Sequence, residues 1–270
     1  PPMTTTSTTS ATRGAAPEPR RNSALGVALR YLGATLRLNL TDGAFIGFML
    51  AMPTAMYLFF SQVYGGDPAY GAEAKRQIML QMATYGAMGS ALSAGNAIQL
   101  ERSTGWFRQL MVSALTPLAF FVVRVVVALI MLIPPLALVL VVGRIDGVEL
   151  PFATWFAVGG VALLVLIPFV VMGLVIGLWL KPSAASPATT FIMLSMAMLG
   201  GMWVPLDMMP EFMQNLGTAL PSYWAVEFSK LPVSGDPVPG KGLLVLGAWL
   251  LAMVVLGVLG YRRAITTSKR

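Results

Sequence analysis

The 270-residue chain contains no cysteine and no histidine. Disulfides, thiolate or imidazole metal sites, haem ligation and the Cys/His and Ser/His pairs of nucleophilic catalysis are therefore excluded within this chain. Charge is also scarce: 11% of residues are Asp, Glu, Lys or Arg, against about 25% in soluble domains. Hydrophobic residues make up 56%, which is the composition of an integral membrane protein. No charged residue falls in the middle third of any long apolar run, whereas proton-coupled carriers and voltage sensors need ionisable groups at that depth. No paired carboxylates or activated nucleophile can be assembled either, so neither an active site nor a resident cofactor is expected. The net charge of +7 comes from basic residues clustered at the ends of apolar runs, a sign of membrane topology rather than of nucleic-acid binding.

What the chain does have is six long runs without charge, near the roughly 20 residues that a helical span needs. Spans are expected at about 43–64, 77–98, 118–142, 151–179, 185–204 and 242–261. All are read as helices, because a helix satisfies its own backbone in lipid and the period-2 alternation of a barrel is absent. The expected fold is thus an all-α integral membrane protein with six transmembrane helices. Residues 24–266 form its membrane domain, flanked by a disordered tail at 1–23 and a short tail at 267–270; Met3 reads as the natural start.

Basic residues set the orientation. With the N-terminus inside, the cytoplasmic segments hold Arg13, Arg20, Arg21, Arg30, Arg37, Arg102, Arg108, Lys181, Arg262, Arg263, Lys269 and Arg270. The outside segments hold only Lys75, Arg76, Arg144, Lys230 and Lys241, a bias that puts both termini and the 101–116 segment in the cytoplasm. Arg124 is placed within a turn or two of the cytoplasmic edge, where its side chain can snorkel to water.

Ahead of the first span, Leu25, Leu29, Leu32, Leu36 and Leu40 make one stripe of a 3.6-residue helix flanked by Arg30 and Arg37. That pattern suits an amphipathic helix lying in the cytoplasmic headgroup layer. Within the spans, Pro53, Pro134, Pro135 and Pro168 are expected to kink helices. The second span carries Gly86, Ala87, Gly89, Ser90, Ala91, Ser93, Ala94 and Gly95, small residues that let another helix approach closely. A substrate path is placed at Met49, Met52, Met56, Ser90, Ser93, Asn96 and Met196, where flexible thioethers and small polar groups suit a permissive surface.

Two segments between spans are unlike simple loops. Glu101 to Pro117, ERSTGWFRQLMVSALTP, is amphipathic and offers Trp106, Phe107 and Leu110 as knobs for a groove on a soluble partner. Gly201 to Pro221 has prolines at 205, 210 and 221 and an amphipathic middle in which Met209, Phe212, Met213 and Leu216 share a face. It reads as a short re-entrant helix or hairpin in the outer leaflet, followed by an extracellular loop over Ser222 to Gly240. Within that loop GDPVPGKG mimics a phosphate-binding loop, but Gly242 stands where a Ser or Thr hydroxyl must meet magnesium, and Pro237 and Pro239 remove backbone donors.

The Glu101-Arg102 pair followed by Gly105-Trp106-Phe107-Arg108-Gln109-Leu110 and Thr116-Pro117 resembles the coupling segment of the type-2 permease family of ATP-binding-cassette exporters. Arg124 is similar to a basic residue which that family often carries early in the third span. Gly201, Pro205, Pro210 and Pro221 resemble its signature before the last span. The stretch from Met111 to Leu115 is a residue or two longer than the family pattern. The Gly-Trp-aromatic-Arg version looks like the branch serving antibiotic, lantibiotic and drug efflux. The resemblance implies a transport subunit rather than an enzyme, paired as a homodimer or with a similar permease. Separate ATPase subunits carrying ATP and magnesium would grip Glu101, Arg102, Gly105, Trp106, Phe107, Arg108 and Leu110. The cargo implied is a hydrophobic or amphiphilic compound; a lipid-linked glycan or lipid exporter, and a non-transporting scaffold or sensor, are the alternatives.

Overall fold

The computed structural model describes residues 24–41, 43–67, 70–103 and 117–268. Among these residues the fold is all-helical, with no strand. The helices are α1 (Ala24–Thr41), α2 (Gly43–Tyr64), α3 (Gly71–Ser103), α4 (Pro117–Ile145), α5 (Phe152–Val165), α6 (Ile167–Trp179), α7 (Pro182–Leu199), α8 (Glu211–Gly217), α9 (Pro221–Ser234) and α10 (Gly240–Ser268). The tails at 1–23 and 269–270 lie outside the described residues. Among the described residues, three stretches are long and apolar enough to cross a membrane: Phe121–Ile145, Phe152–Trp179 and Gly240–Gly260. Ser183–Leu199 is apolar but shorter.

Helix α3 is the axis of the bundle. Its widest contacts are with α4 and α6, then α2, and it also meets α7 and α9. Met79, Leu80, Met82, Ala83, Tyr85, Ala87, Met88, Ala91 and Leu92 are all buried along it. Its glycines, serines and glutamines lower its hydropathy below that of the three long apolar helices, and it can afford them because it faces protein rather than lipid. Helix α10, by contrast, leans on α6 and leaves Leu243, Leu244, Leu251, Val254, Val255, Val258 and Leu259 exposed. The N-terminal α1 lies against α4 with Leu32 and Leu36 packed on the core, while Leu29 and Arg30 stay exposed.

The prolines act in two ways. Pro53 in α2 and Pro134 and Pro135 in α4 sit inside helices that continue through them. Pro168 marks a true interruption: α5 ends at Val165, and α6 restarts at Ile167 with the proline in its first turn, where the missing N–H costs nothing. The expected 151–179 span is therefore two helical pieces. After α7 the chain turns at Gly201, whose φ of 72° is a left-handed conformation that glycine adopts without penalty. The expected fifth span, 185–204, thus stops at Leu199.

The largest correction concerns Ser222 to Gly240. Pro221 opens a 14-residue helix, α9, in the place of the expected loop, and Trp224, Ala225, Val226, Phe228 and Ser229 are buried along it. Packing against α5, α3 and α10 overrides the loop-like composition. Pro205, Pro210 and Pro221 each lie at the start of a helical segment, at Leu206–Met208, α8 and α9 respectively. The GDPVPGKG stretch joins α9 to α10, with Gly235 (φ 72°) capping α9 and Gly242 pressed on Trp224 and Phe228.

Candidate functional site

The segment expected to dock a soluble partner begins on α3. Glu101 and Arg102 occupy the last turn of that helix; Gly105, Trp106, Phe107, Arg108 and Leu110 lie outside the described residues. At 33 residues, α3 is about 50 Å long at 1.5 Å per residue, well beyond a hydrocarbon core of about 30 Å. One continuous rod thus joins the Glu101 end of the bundle to the opposite end, which carries Asp146.

The rod is gripped by close backbone contacts. A Cβ on Gly95 would run into the Gly173 carbonyl oxygen, and one on Gly173 into the Leu92 carbonyl oxygen. A Cβ on Gly177 would stand 2.9 Å from the Gly95 Cα. Gly173 and Gly177, one turn apart on α6, therefore form a small-xxx-small face that lets α3 and α6 touch backbone to backbone. On another side of α3, a Cβ on Gly86 would lie 2.7 Å from Pro53 Cγ and 3.4 Å from Pro135 Cβ, so α2, α3 and α4 converge there.

The same convergence explains one expected path residue. Pro135 has no N–H to offer the carbonyl of Met131, and Ser90 Oγ donates to that oxygen at 2.7 Å. Ser90 is thus committed to structure. Ser93 is half-buried and donates within its own helix to Gly89 O at 2.9 Å. Asn96 and Met56 are half-buried, Met49 and Met196 are buried, and Met52 is exposed. These seven lie on α2, α3 and α7, and none of them lines the cavity at the Asp146 end. Arg124 corrects another expectation. It is 3% exposed, so the guanidinium is enclosed among helices rather than reaching out to water.

At the Asp146 end, three helices are tied by one carboxylate. Tyr57, fully buried on α2, donates its hydroxyl to Asp146 Oδ2 at 2.9 Å. Lys75 Nζ of α3 reaches Asp146 Oδ1 at 3.1 Å and the Asp146 carbonyl at 3.3 Å. This clamp was not singled out from the sequence, because its partners are 71 and 89 residues apart. Beyond it, Met208, Phe212 and Leu216 project exposed apolar side chains from the turn and α8. A tryptophan staple closes this part of the fold: Trp224 Nε1 donates to Thr218 O at 2.8 Å and Trp249 Nε1 to Ala219 O at 2.9 Å.

Residues 32–230 match the ABC-2 type transporter family, a stretch running from α1 into α9. The chain belongs to that family. Over 225 residues the permease is also 26% identical to YvfS of Bacillus subtilis (strain 168), a protein named as a transport permease; the alignment covers 83% of this chain and 92% of YvfS. As an ABC-2 permease it is a membrane protein and a non-enzymatic subunit, of a family that pairs with a separate ATP-binding-cassette ATPase.

Proposed function

We propose that this permease is the transmembrane subunit of an ATP-driven exporter that moves an amphiphilic or hydrophobic compound, a drug- or antibiotic-like molecule, out of a bacterial cell. It spans the plasma membrane six times with both termini inside, over spans at about 43–64, 77–98, 118–142, 151–179, 182–199 and 242–261. The re-entrant hairpin of α8 and α9 sits in the outer leaflet. Two permeases pair, and two ATPase subunits carry ATP and magnesium and grip the segment Glu101 to Leu110 from the cytoplasm.

The observation that carries this reading is the unbroken α3, whose last turn holds Glu101 and Arg102 and whose flank is locked to α6 through Gly95, Gly173 and Gly177. A push on the cytoplasmic segment is delivered to a rod in backbone contact with its neighbour rather than to a flexible hinge. Trp106 and Phe107 anchor in the ATPase groove, and Glu101 and Arg108 fix its register. The cargo class is supported by the absence of deep charge and by the apolar faces of α2 and α7, where Phe48, Phe59, Phe191 and Met198 are exposed in the single chain.

The double substitution Trp106→Ala with Phe107→Ala is expected to leave the complex's ATP hydrolysis within a few-fold of normal and to abolish export from reconstituted vesicles. Undiminished export by that variant would remove the coupling role. Stimulation of hydrolysis by lipid-linked glycans, with none by amphiphilic drugs, would replace the cargo.

A further inference from the structure

A cavity of about 220 Å³ lies at the Asp146 end between α2, the first turns of α3 and the Gly201–Met208 turn. It is formed by stretches more than a hundred residues apart in sequence, and the residues expected to form a substrate path take no part in it. Phe60, Tyr64 and Trp203 supply aromatic surface; Met82 and Met208 add thioethers; Gln77 and Gln81 are its amides. No charged side chain is among the described lining residues.

The rings are fixed in place. Phe60 stacks on Tyr64 with centroids 6.2 Å apart at 24°, and Trp203 meets Tyr85 edge-on at 5.6 Å. The two amides differ. Gln77 donates to Glu73 Oε1 at 3.0 Å, whereas the side chain of Gln81, a residue only 8% exposed, makes no hydrogen bond among the described residues and lines the cavity. The Gln81 amide is not sealed off but opens onto the cavity, where a bound ligand can pair it. Gln81 can donate from its nitrogen and accept at its oxygen, so a ligand with a carbonyl or an N–H repairs it. Rigid aromatic walls favour a ring placed edge-to-face or offset-stacked. The volume falls below the roughly 300–1,000 Å³ of sites that enclose a drug-sized molecule, so the cavity takes one end of a larger one.

We propose that this cavity is an outer subsite for the uncharged aromatic end of the exported amphiphile, held by the Gln81 amide through a carbonyl or amide group next to the ring. The proposal rests on the exporter reading above and adds the chemistry of one end of its cargo. The absence of a lining carboxylate argues against a cationic head. The absence of a lining lysine or arginine argues against an anionic one.

The test uses benzophenone, a neutral aromatic ketone that on irradiation adds to nearby C–H bonds, with the purified full chain in detergent and peptide mapping by mass spectrometry. Peptides bearing Met82 or Met208 are expected to be labelled, and acetophenone to compete. Gln81→Leu is expected to lower that labelling at least tenfold without changing the labelling of the exposed α10 residues Leu243, Leu244 and Leu251. Ala74→Leu, which fills the cavity from the first turns of α3, is expected to do the same and decides the matter should Gln81→Leu fail to fold. Labelling confined to α10, or labelling at Met82 and Met208 indifferent to both substitutions, overturns the subsite. Competition by phenyltrimethylammonium at lower concentrations than acetophenone also overturns it, making the cavity a cation cage instead. Export by the permease–ATPase complex is measured alongside. Site labelling without export upholds the subsite and sinks the exporter reading, whereas export of an aromatic amphiphile that persists undiminished in both variants sinks the subsite alone.

Discussion

Two of the long apolar stretches, Phe152–Trp179 and Gly240–Gly260, are of similar hydropathy and meet opposite fates. In the first, 72% of the most apolar window is buried inside the protein; in the second, 17%. Both would enter lipid equally well, because lipid tails are as apolar as a protein core and hydropathy does not distinguish the two surroundings. The distinction lies in what the glycines touch. Gly173 and Gly177 of α6 stand against the backbone of α3, whereas a Cβ on Gly247 of α10 would meet nothing within 4 Å. At the α3–α6 crossing, burial thus follows from where backbones touch, not from how greasy the segment is.

The comparison is broken most severely at the α3–α6 crossing. Gly173→Leu forces a side chain into the Leu92 carbonyl, which is backbone and cannot swing aside. Overpacking of this kind costs about 3 kcal/mol or more when no rotamer escapes it. Unfolding of the detergent-solubilised permease in a denaturant titration is expected to show that loss, while Gly247→Leu on α10 changes stability by less than about 0.5 kcal/mol, the range of surface substitutions. Equal costs at the two glycines would mean that α10 is covered by protein after all.

A finer contrast lies within α3 itself, between two serines three residues apart. Ser90 supplies the hydrogen that Pro135 cannot give to Met131 O, and it is buried; Ser93 only repeats a bond inside its own helix. Ser90→Ala leaves a buried carbonyl without a donor and is expected to cost about 1 kcal/mol, between the mean for hydrogen bonds inside membranes and the penalty for an orphaned group. Ser93→Ala is expected to be neutral within error. The same titration checks both, and a neutral Ser90→Ala would show that the carbonyl finds another partner once the hydroxyl is gone.

How far the sequence revealed this arrangement depends on the range of the forces involved. The small-residue run from Gly86 to Gly95 could be read directly as a helix that neighbours approach, and most of it is buried. Its counterpart on α6 was hidden, because Gly173 and Gly177 sit in a continuous apolar run where glycine is common in any membrane helix. Helix α9 was illegible for the opposite reason: Glu227, Lys230 and Pro232 look like a loop, and only burial of Trp224 and Phe228 against α5 and α10 makes the segment a helix. The Tyr57–Asp146–Lys75 clamp and the unpaired Gln81 arise from contacts between distant stretches, which periodicity cannot report. Of the seven residues placed on a substrate path, Ser90 also serves a proline, a contact that a serine on a span does not announce until its neighbour is known.

The smallest expected effect probes the exposed side of the comparison. Leu244 on α10 is 76% exposed, so truncating it opens no cavity: lipid or detergent chains fill the space and keep much of the dispersion contact. Leu244→Ala is therefore expected to cost less than about 0.5 kcal/mol, whereas a leucine lost from a closed core costs about 2–5 kcal/mol because its surroundings relax only partly. Leu132 of α4, fully buried, gives that internal standard in the same protein. Should the two leucines prove equally costly in bilayers but not in detergent, the exposed face of α10 must be covered by a second polypeptide in the membrane. Its low burial would then describe the lone chain rather than the assembled transporter.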